Sequence, residues 1–243
     1  AVDNVVVLDR IDSTHAFAIR LIEQAEGEDL SLGTTLVIAG RQDEGIGRNA
    51  RRWESPAGGL YLSWLDGHLD ASSVATLPMV AAAAVHEAVT RLGITNATIK
   101  WPNDILVNGR KLAGILIHVR HAEALWAAVG IGINLEGTPA IDTPGPTLPT
   151  ALADHLPHGN AVEWTEGFIE VLTRMLAAGI EDPSESLVCW KTHLVHRVGD
   201  EMVVRLADET EIRGRFSGVN DQGHLRLDID GAERVITSGD IIE

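Results

Sequence analysis

The sequence predicts a protein of mixed α and β structure that ends in a small β-barrel. In the first 195 residues, short β-type runs and longer apolar stretches with helical periodicity follow one another. In the last fifty residues, four short alternating runs at 202–206, 211–219, 225–229 and 234–237 are separated by turns. A hydrophobic content of 45% over 243 residues is enough for one large core.

Charge and cysteine content narrow the classes of function. The net charge is −16, from 35 acidic and 19 basic residues, so the surface repels nucleic acid unless a local basic patch overrides it. The single cysteine, Cys189, cannot form an intramolecular disulfide, which fits a reducing compartment, and its apolar surroundings predict a core residue. Residues 1–10 lack a signal peptide pattern, and the longest apolar stretch, 77–85, is too short to span a bilayer. We therefore expect a cytoplasmic protein that binds neither nucleic acid nor membranes.

The N-terminal elements begin with a strand at 5–8. Ser13 or Thr14 can cap the helix that follows, and Gly27 is its predicted end. A buried strand is predicted at 34–39. On spacing alone, Ser13 and Thr14 are helix caps.

A loop rich in glycine and arginine follows this strand at 41–53. Its glycines allow close approach of the backbone, and its guanidinium groups can bind phosphate or carboxylate in pairs of hydrogen bonds. Many surface loops also contain glycine and arginine, so the loop alone leaves anion binding and a plain surface role open.

The next elements are an alternating strand at 60–65 and a long helix that Ser72 or Ser73 would cap and that would run through Leu92. Pro78 predicts a kink or a split in its first part. His86 within this helix is interpreted as structural.

The most informative stretch runs from Lys100 to Leu116, KWPNDILVNGRKLAGIL. Asn108-Gly109 predicts a type I′ turn between strands at 105–107 and 111–117. Such a hairpin brings Asn103, Asp104 and Lys111 together, a set that can hold a magnesium-bound phosphate. Ordinary turn chemistry explains the same residues from spacing alone.

The remaining chain predicts a glycine-bearing interior strand at 124–135 and a proline-rich loop at 139–149. Helices are predicted at 148–156, 162–178 and 184–194. The stripe of apolar residues on the second of these indicates packing against the core.

The stretch at 100–116 resembles the signature of the biotin protein ligases, in which a KWPND block is followed by a KLAGIL block. Three further segments resemble family motifs in the same order: Asp12-Ser13-Thr14, the glycine–arginine loop, and a G-x-G-x-N segment that ends at Asn134. The resemblance implies an α+β fold with a central mixed β-sheet, helices on one face (class II synthetase-like) and a C-terminal SH3-like β-barrel. It divides the chain into a ligase domain at 1–195 and the barrel at 196–243.

The resemblance also implies an activity in two steps. Biotin and ATP form biotinyl-5′-AMP with Mg²⁺, and biotin then passes to a lysine of a biotin carboxyl carrier protein, such as that of acetyl-CoA carboxylase. Lys111 and Arg48 would be catalytic, and Asp104 would bind the metal. Biotin would contact Ser13, Thr14, His15, Gln42, Gly45, Ile46, Gly47, Arg48, Lys111 and Gly114, whereas ATP would contact Arg48, Arg51, Trp53, Asn103, Asp104, Lys111 and Asn134.

Three residues depart from the family pattern: His15 replaces an Asn, Ile46 an Arg and Ala50 a Gly. They leave open a catalytically weakened biotin-binding homologue, and the shared fold leaves open a lipoate or octanoate ligase. The motifs begin close to residue 11, so we expect a monofunctional enzyme without an N-terminal DNA-binding domain. The resemblance allows either a homodimer or a monomer.

Overall fold

The computed structural model describes residues 2–28, 30, 32–67, 69–121, 125–140, 147–156 and 161–242. Within these ranges the helices are α1 (Thr14–Gly27), α2 (Ala71–Arg91), α3 (Ala161–Glu181) and α4 (Ser184–Thr192). The strands are β1 (Asn4–Ile11), β2 (Thr35–Gln42), β3 (Gly59–Asp66), β4 (Ala97–Lys100), β5 (Asp104–Val107), β6 (Arg110–His121), β7 (Leu125–Asn134), β8 (Glu201–Arg205), β9 (Glu211–Val219), β10 (Leu225–Ile229), β11 (Ala232–Ile236) and β12 (Asp240–Ile241).

Seven strands form the main sheet in the order β1-β2-β3-β7-β6-β5-β4. The pair β1–β2 is parallel, and the other neighbouring strands are antiparallel. The predicted mixed sheet of an α+β fold is thereby confirmed.

The two faces of this sheet carry different helices. On β3, Leu62 and Trp64 belong to the large core that α2, α3 and α4 complete. Leu65 points to the opposite face, because successive side chains of a strand alternate, and there it packs against Ala18 and Ile22 of α1. Three helices thus cover one face, whereas α1 covers only part of the other and leaves room beside it.

The long apolar helix α2 differs in detail from its prediction. Asp70 is the N-cap, and its carboxylate accepts a hydrogen bond of 2.7 Å from the Ser73 amide. Ser72 donates its hydroxyl hydrogen to the same carboxylate, so neither predicted serine is the cap. The helix also continues through Pro78. Its length and composition would allow it to cross a membrane, but 61% of that apolar window is buried inside the protein, which is typical of a core helix.

The predicted hairpin of β5 and β6 is confirmed. Asn108 and Gly109 have φ angles of 53° and 73°, the left-handed values that a type I′ turn requires. The second strand extends to His121, further than predicted, because it pairs with β7 along its length.

The predicted helix at 148–156 is wrong over most of its length. The amide of Lys111 donates to the carbonyl of Leu148 and the amide of Thr150 donates to that of Lys111, so residues 148–150 pair with β6. Only a short 3₁₀ turn forms, at Leu152–His155. In the neighbouring predictions, residue 124 of the strand at 124–135 and residues 141–146 of the loop at 139–149 lie outside the described residues.

The C-terminal strands form a second, antiparallel sheet in the order β11-β10-β9-β8-β12. This sheet is consistent with the expected SH3-like domain. It shares one continuous core with the main sheet, and the Trp101 indole N–H donates to the carbonyl of Gly223 at 2.9 Å. The last strand, β12, is thereby held beside the open face of the main sheet.

Candidate active site

The open face of the main sheet carries a cavity of about 260 Å³ beside α1. Strands β3, β6 and β7 form its floor, and the loop at 42–53 forms one wall. Asp240 and Ile241 of β12 also line it, so the small C-terminal sheet contributes directly to the site.

The floor of the cavity lies close to the backbone of the sheet, because three neighbouring residues of β6 and β7 are glycines without side chains. Gly114 pairs with Gly132, and Gly130 is two residues away on the same face. A Cβ atom at Gly132 would lie 2.5 Å from Nε1 of Trp53, and one at Gly130 would lie 2.8 Å from Nδ1 of His15. Glycine at these positions therefore lets two ring side chains lie directly on the sheet.

A chain of hydroxyl and amide groups forms the inner end of the cavity. Oε1 of Gln42 accepts hydrogen bonds from the Thr14 amide (2.7 Å) and the Thr14 hydroxyl (3.1 Å). The Thr14 hydroxyl in turn accepts from Ser63, and Nε2 of Gln42 donates to Ser55. Ser13 caps α1 and also lines the cavity, so capping and binding roles coexist at this residue.

His15 is the ring that lies on Gly130. Burial, with a contribution from His118, lowers its pKa to about 4, so the imidazole is neutral at pH 7. Its Nδ1 atom is buried and has no hydrogen-bond partner among the described residues. A neutral ring with one unsatisfied nitrogen is suited to a polar, uncharged ligand group.

The arginine-rich wall is tied to the C-terminal sheet. The Asp240 carboxylate lies 3.2 Å from Nη1 of Arg48 and 2.7 Å from Nη2 of Arg51. Nη1 of Arg48 also donates to Oδ1 of Asn103 at 3.3 Å, and Nη2 donates to the carbonyl of Gly239. Burial lowers the pKa of Arg48, but the neighbouring carboxylates counter this effect and the group stays charged. These contacts hold two guanidinium groups at the mouth of the cavity.

Opposite this wall, Nζ of Lys111 lies 2.7 Å from Oδ1 of Asp104. The same nitrogen is 5.2 Å from the centre of the Trp53 ring, within the range of a cation–π contact. Lys100 lies near this pair and donates to the Thr147 hydroxyl at 3.0 Å, and burial lowers its pKa.

The charge of the cavity is opposite to that of the protein. Five cationic side chains (Arg48, Arg51, Arg52, Lys100 and Lys111) and two carboxylates (Asp104 and Asp240) line it, which gives +3 inside a chain of −16. A concave site of this sign attracts and orients an anionic ligand.

Most residues predicted for the site line this one cavity: Ser13, Thr14, His15, Gln42, Ile46, Gly47, Arg48, Arg51, Trp53, Asn103, Asp104, Lys111 and Gly114. Two predicted residues lie behind the lining. Asn134 is buried and donates to the carbonyls of Thr150 (3.0 Å) and Lys111 (3.5 Å), so it positions the chain around the lysine. At Gly45 a Cβ atom would lie 2.3 Å from the carbonyl oxygen of Trp53, so this glycine lets the loop fold back on itself.

The cavity also contains residues that were not among the predicted site residues, including Tyr61, Lys100, Thr147 and Asp240. Lys100 opens the KWPND block, and Tyr61 lies on the predicted strand, so both had a sequence signal. The signal for Asp240 is weaker, because its contact with Arg48 joins positions 192 residues apart.

Together, the mixed sheet, the cationic cavity and the arginine-rich wall define an enzyme or binding protein for an anionic small molecule. The model of the biotin/lipoate A/B protein ligase family matches residues 7–135, more than half of the chain. The chain belongs to this family.

Relatives and solved structures agree with this assignment. The chain is 33% identical to the biotin–[acetyl-CoA-carboxylase] ligase of Paracoccus denitrificans, over 97% of this chain and 98% of that protein. It is 28% identical to the enzyme of the same name from Mycobacterium tuberculosis, over 91% and 83% of the two chains. Its fold is similar to that of the Aquifex aeolicus biotin protein ligase in complex with biotin and ATP, with a TM-score of 0.74, 25% identity and coverage of 98% and 97%.

Proposed function

We propose that this protein is a biotin–[acetyl-CoA-carboxylase] ligase, which activates biotin with ATP and transfers it to a lysine of a biotin carboxyl carrier protein. The observation that carries the proposal is the cationic cavity on the open face of a biotin ligase fold. ATP and the biotin carboxylate are both anions, and this cavity carries a net positive charge within an acidic chain.

Biotin lies at the inner end of the cavity in this proposal. The hydroxyls of Ser13 and Thr14 and the amide of Gln42 can donate to or accept from its ureido ring. His15 faces the same end as a neutral ring, so it adds a polar contact without adding charge. The carboxylate of biotin then points towards Lys111 and Arg48.

In the first step, a carboxylate oxygen of biotin attacks the α-phosphorus of ATP. The bond from this phosphorus to the bridging oxygen breaks, and pyrophosphate leaves. Lys111, Arg48 and Arg51 stabilise the charge on the phosphates by fixed electrostatics. No general base is needed, because the carboxylate of biotin is ionised at neutral pH.

The carboxylate of Asp104 and the amide oxygen of Asn103 would supply the hard oxygen ligands that Mg²⁺ prefers, beside Lys111. When bound, this ion neutralises charge on the phosphates. Both remaining residues act on the nucleotide in this proposal. Trp53 provides a surface on which its base can stack, and Asn134 supports Lys111 from behind.

In the second step, the amine of the carrier lysine attacks the acyl carbon of biotinyl-5′-AMP and AMP leaves. Lys111 again lies where negative charge develops. We further propose that residues 1–195 form the ligase domain and 196–243 an SH3-like domain, which supplies Asp240 to the wall of the cavity. The site of action is the cytoplasm.

The test follows pyrophosphate release from the purified protein with biotin and MgATP, and then biotinylation of an added carrier domain. Lys111→Ala should slow release by roughly 10²–10³-fold, the range for loss of one electrostatic stabiliser. Lys191→Ala is the matched control, because its ammonium pairs with Asp221 away from the cavity. If the wild type binds biotin in a thermal shift assay but releases no pyrophosphate, it is a biotin-binding homologue. A shift with lipoate instead of biotin would overturn the assignment of substrate.

A further inference from the structure

Away from the cavity, on the far side of the main sheet, three potential metal ligands meet where α2 packs against α4. Their ligand atoms lie within 4.8 Å of one another. Sγ of Cys189 is 3.8 Å from Nδ1 of His86 and 3.7 Å from Nδ1 of His193. Cys189 and His193 are four residues apart at the end of α4, so both project from the same side of the helix.

These distances are close to those of a tetrahedral metal site. Zinc binds sulfur at about 2.3 Å and imidazole nitrogen at about 2.0–2.1 Å, which places sulfur and nitrogen ligands roughly 3.5 Å apart. The two sulfur-to-nitrogen distances exceed this value by only a few tenths of an ångström, and the stacked rings of His86 and His193, with centroids 4.0 Å apart, would have to rotate for both nitrogens to face one ion. A hydrogen-bonded cluster without a metal is the competing explanation.

The tautomer of His86 is the one that metal binding requires. Its Nε2 atom lies 3.1 Å from the carbonyl oxygen of Ala97 and must donate there, because a carbonyl only accepts. Nδ1 therefore directs its lone pair at the sulfur. A histidine held by a backbone carbonyl through its other nitrogen is the usual outer-shell arrangement of a metal ligand. His86 is only 3% exposed, so the ring is fixed by packing as well.

His193 can complete the set after a change of tautomer. Its Nδ1 atom lies 2.9 Å from the carbonyl oxygen of Cys189 and donates to it in the absence of a metal. The proton moves to Nε2 when Nδ1 binds a metal, so this histidine releases no net proton. The thiol does, because burial raises the pKa of Cys189 to about 11 and a bound metal displaces its proton.

We propose that His86, Cys189 and His193 form a zinc site that links α2 to α4, with water as the fourth ligand. The role is structural and does not depend on the proposed ligase activity. The carbonyl of His193 accepts from the amide of Ile99, and the amide of Val195 donates back to the carbonyl of Ile99. The ion would therefore also fix β4, the strand that ends at Lys100 of the cavity.

Cobalt is the probe, because Co²⁺ replaces Zn²⁺ and is coloured. The full chain is stripped with a chelator and titrated with Co²⁺ without nucleotide. We expect one Co²⁺ per chain, with a thiolate-to-cobalt charge-transfer band and the intense visible bands of a four-coordinate site. Binding of Co²⁺ to the metal-free chain should release one proton per ion at pH 7, and zinc should then displace cobalt without a further proton and raise the Tm above that of the metal-free chain.

The variants are chosen so that folding is kept. Cys189→Ser and His193→Asn change half-buried side chains, whereas the buried His86 is left intact, and circular dichroism checks the fold. Cys189→Ser should abolish the charge-transfer band. Loss of a residue that only supports a ligand weakens metal binding by roughly 10–100-fold, and His193→Asn should weaken cobalt binding by more than this. His121→Asn changes an exposed histidine outside the cluster and should match the wild type. A wild type without the band, or a Cys189→Ser variant with unchanged cobalt affinity, would show that the cluster is only hydrogen-bonded.

Discussion

Replacing Gly132 by Ala tests whether the low floor of the cavity exists to accommodate Trp53. The new Cβ atom would lie 2.5 Å from Nε1, 2.6 Å from Cε2 and 3.0 Å from Cζ2 of the indole, well inside van der Waals contact. The ring is held by packing, because its buried N–H has no hydrogen-bond partner among the described residues. The indole must therefore lift off the sheet, or the strand must move.

The expected cost follows from two opposing effects. Overpacking of this kind destabilises a protein by about 1–3 kcal/mol. A glycine replaced by alanine also gains roughly 0.4–1 kcal/mol, because the unfolded chain loses entropy. Gly137→Ala measures that gain separately, because a Cβ atom there has no neighbour within 4 Å. We expect Gly132→Ala to lower the free energy of unfolding by about 1–3 kcal/mol relative to Gly137→Ala, because the entropic gain is common to both variants and cancels.

The assay is urea unfolding of four proteins: wild type, Gly132→Ala, Trp53→Ala and the double variant. If the indole causes the cost, Gly132→Ala should cost little once Trp53 is alanine, which gives a coupling energy of about 1 kcal/mol or more. Gly132→Ala should also raise the KM for ATP in pyrophosphate release, because the proposed stacking surface has moved. An equal cost in both backgrounds would refute the reasoning and assign the strain to the backbone.

Three further predictions concern the wall, the inner end and the core helix. Asp240→Ala removes the partner of Arg48 and Arg51. We expect the free energy of unfolding in urea to fall by roughly 1–3 kcal/mol and trypsin to cleave the loop at 41–53 faster. Asp221→Ala, which removes an exposed ion pair, should leave cleavage unchanged. His15→Asn should flatten the pH dependence of the free energy of unfolding. The pKa of His15 is near 4 in the folded protein and about 6.5 in the unfolded chain, so the wild type loses stability as the pH falls from about 6.5 to 4. This residue accounts for at most roughly 3 kcal/mol of that loss. An unchanged slope, compared with His121→Asn, would contradict this. Asp70→Ala should cost about 1 kcal/mol in thermal unfolding through loss of the α2 cap, and Ser72→Ala clearly less; equal losses would argue against the cap.

Local chemistry explains which parts of the fold the sequence could predict. The Asn108-Gly109 turn and the short C-terminal strands depend on residues close in sequence, and both were predicted correctly. The helix predicted at 148–156 failed because Lys111, a distant residue, offers its backbone groups to residues 148–150. A pairing of this kind overrides the local helix propensity, and no residue pattern within 148–156 indicates it.

The same distinction applies to the site. Ser13, Gln42 and Lys111 were predicted because they lie in short motifs that resemble a known family. Asp240 lies far from those motifs in sequence and reaches the cavity only because the second sheet packs on the first. The cluster of His86 and Cys189 was hidden in the same way, since each residue alone is typical of a buried core position.

The link between Arg48 and Asp240 has a consequence for the order in which the protein matures during synthesis. The floor of the cavity is complete once residue 134 has left the ribosome, but the carboxylate that holds the arginines follows more than a hundred residues later. A nascent chain can therefore fold its main sheet while the loop at 41–53 still lacks its contacts with Asp240. In vivo, we expect the wall of the cavity to be set only after β12 has left the ribosome.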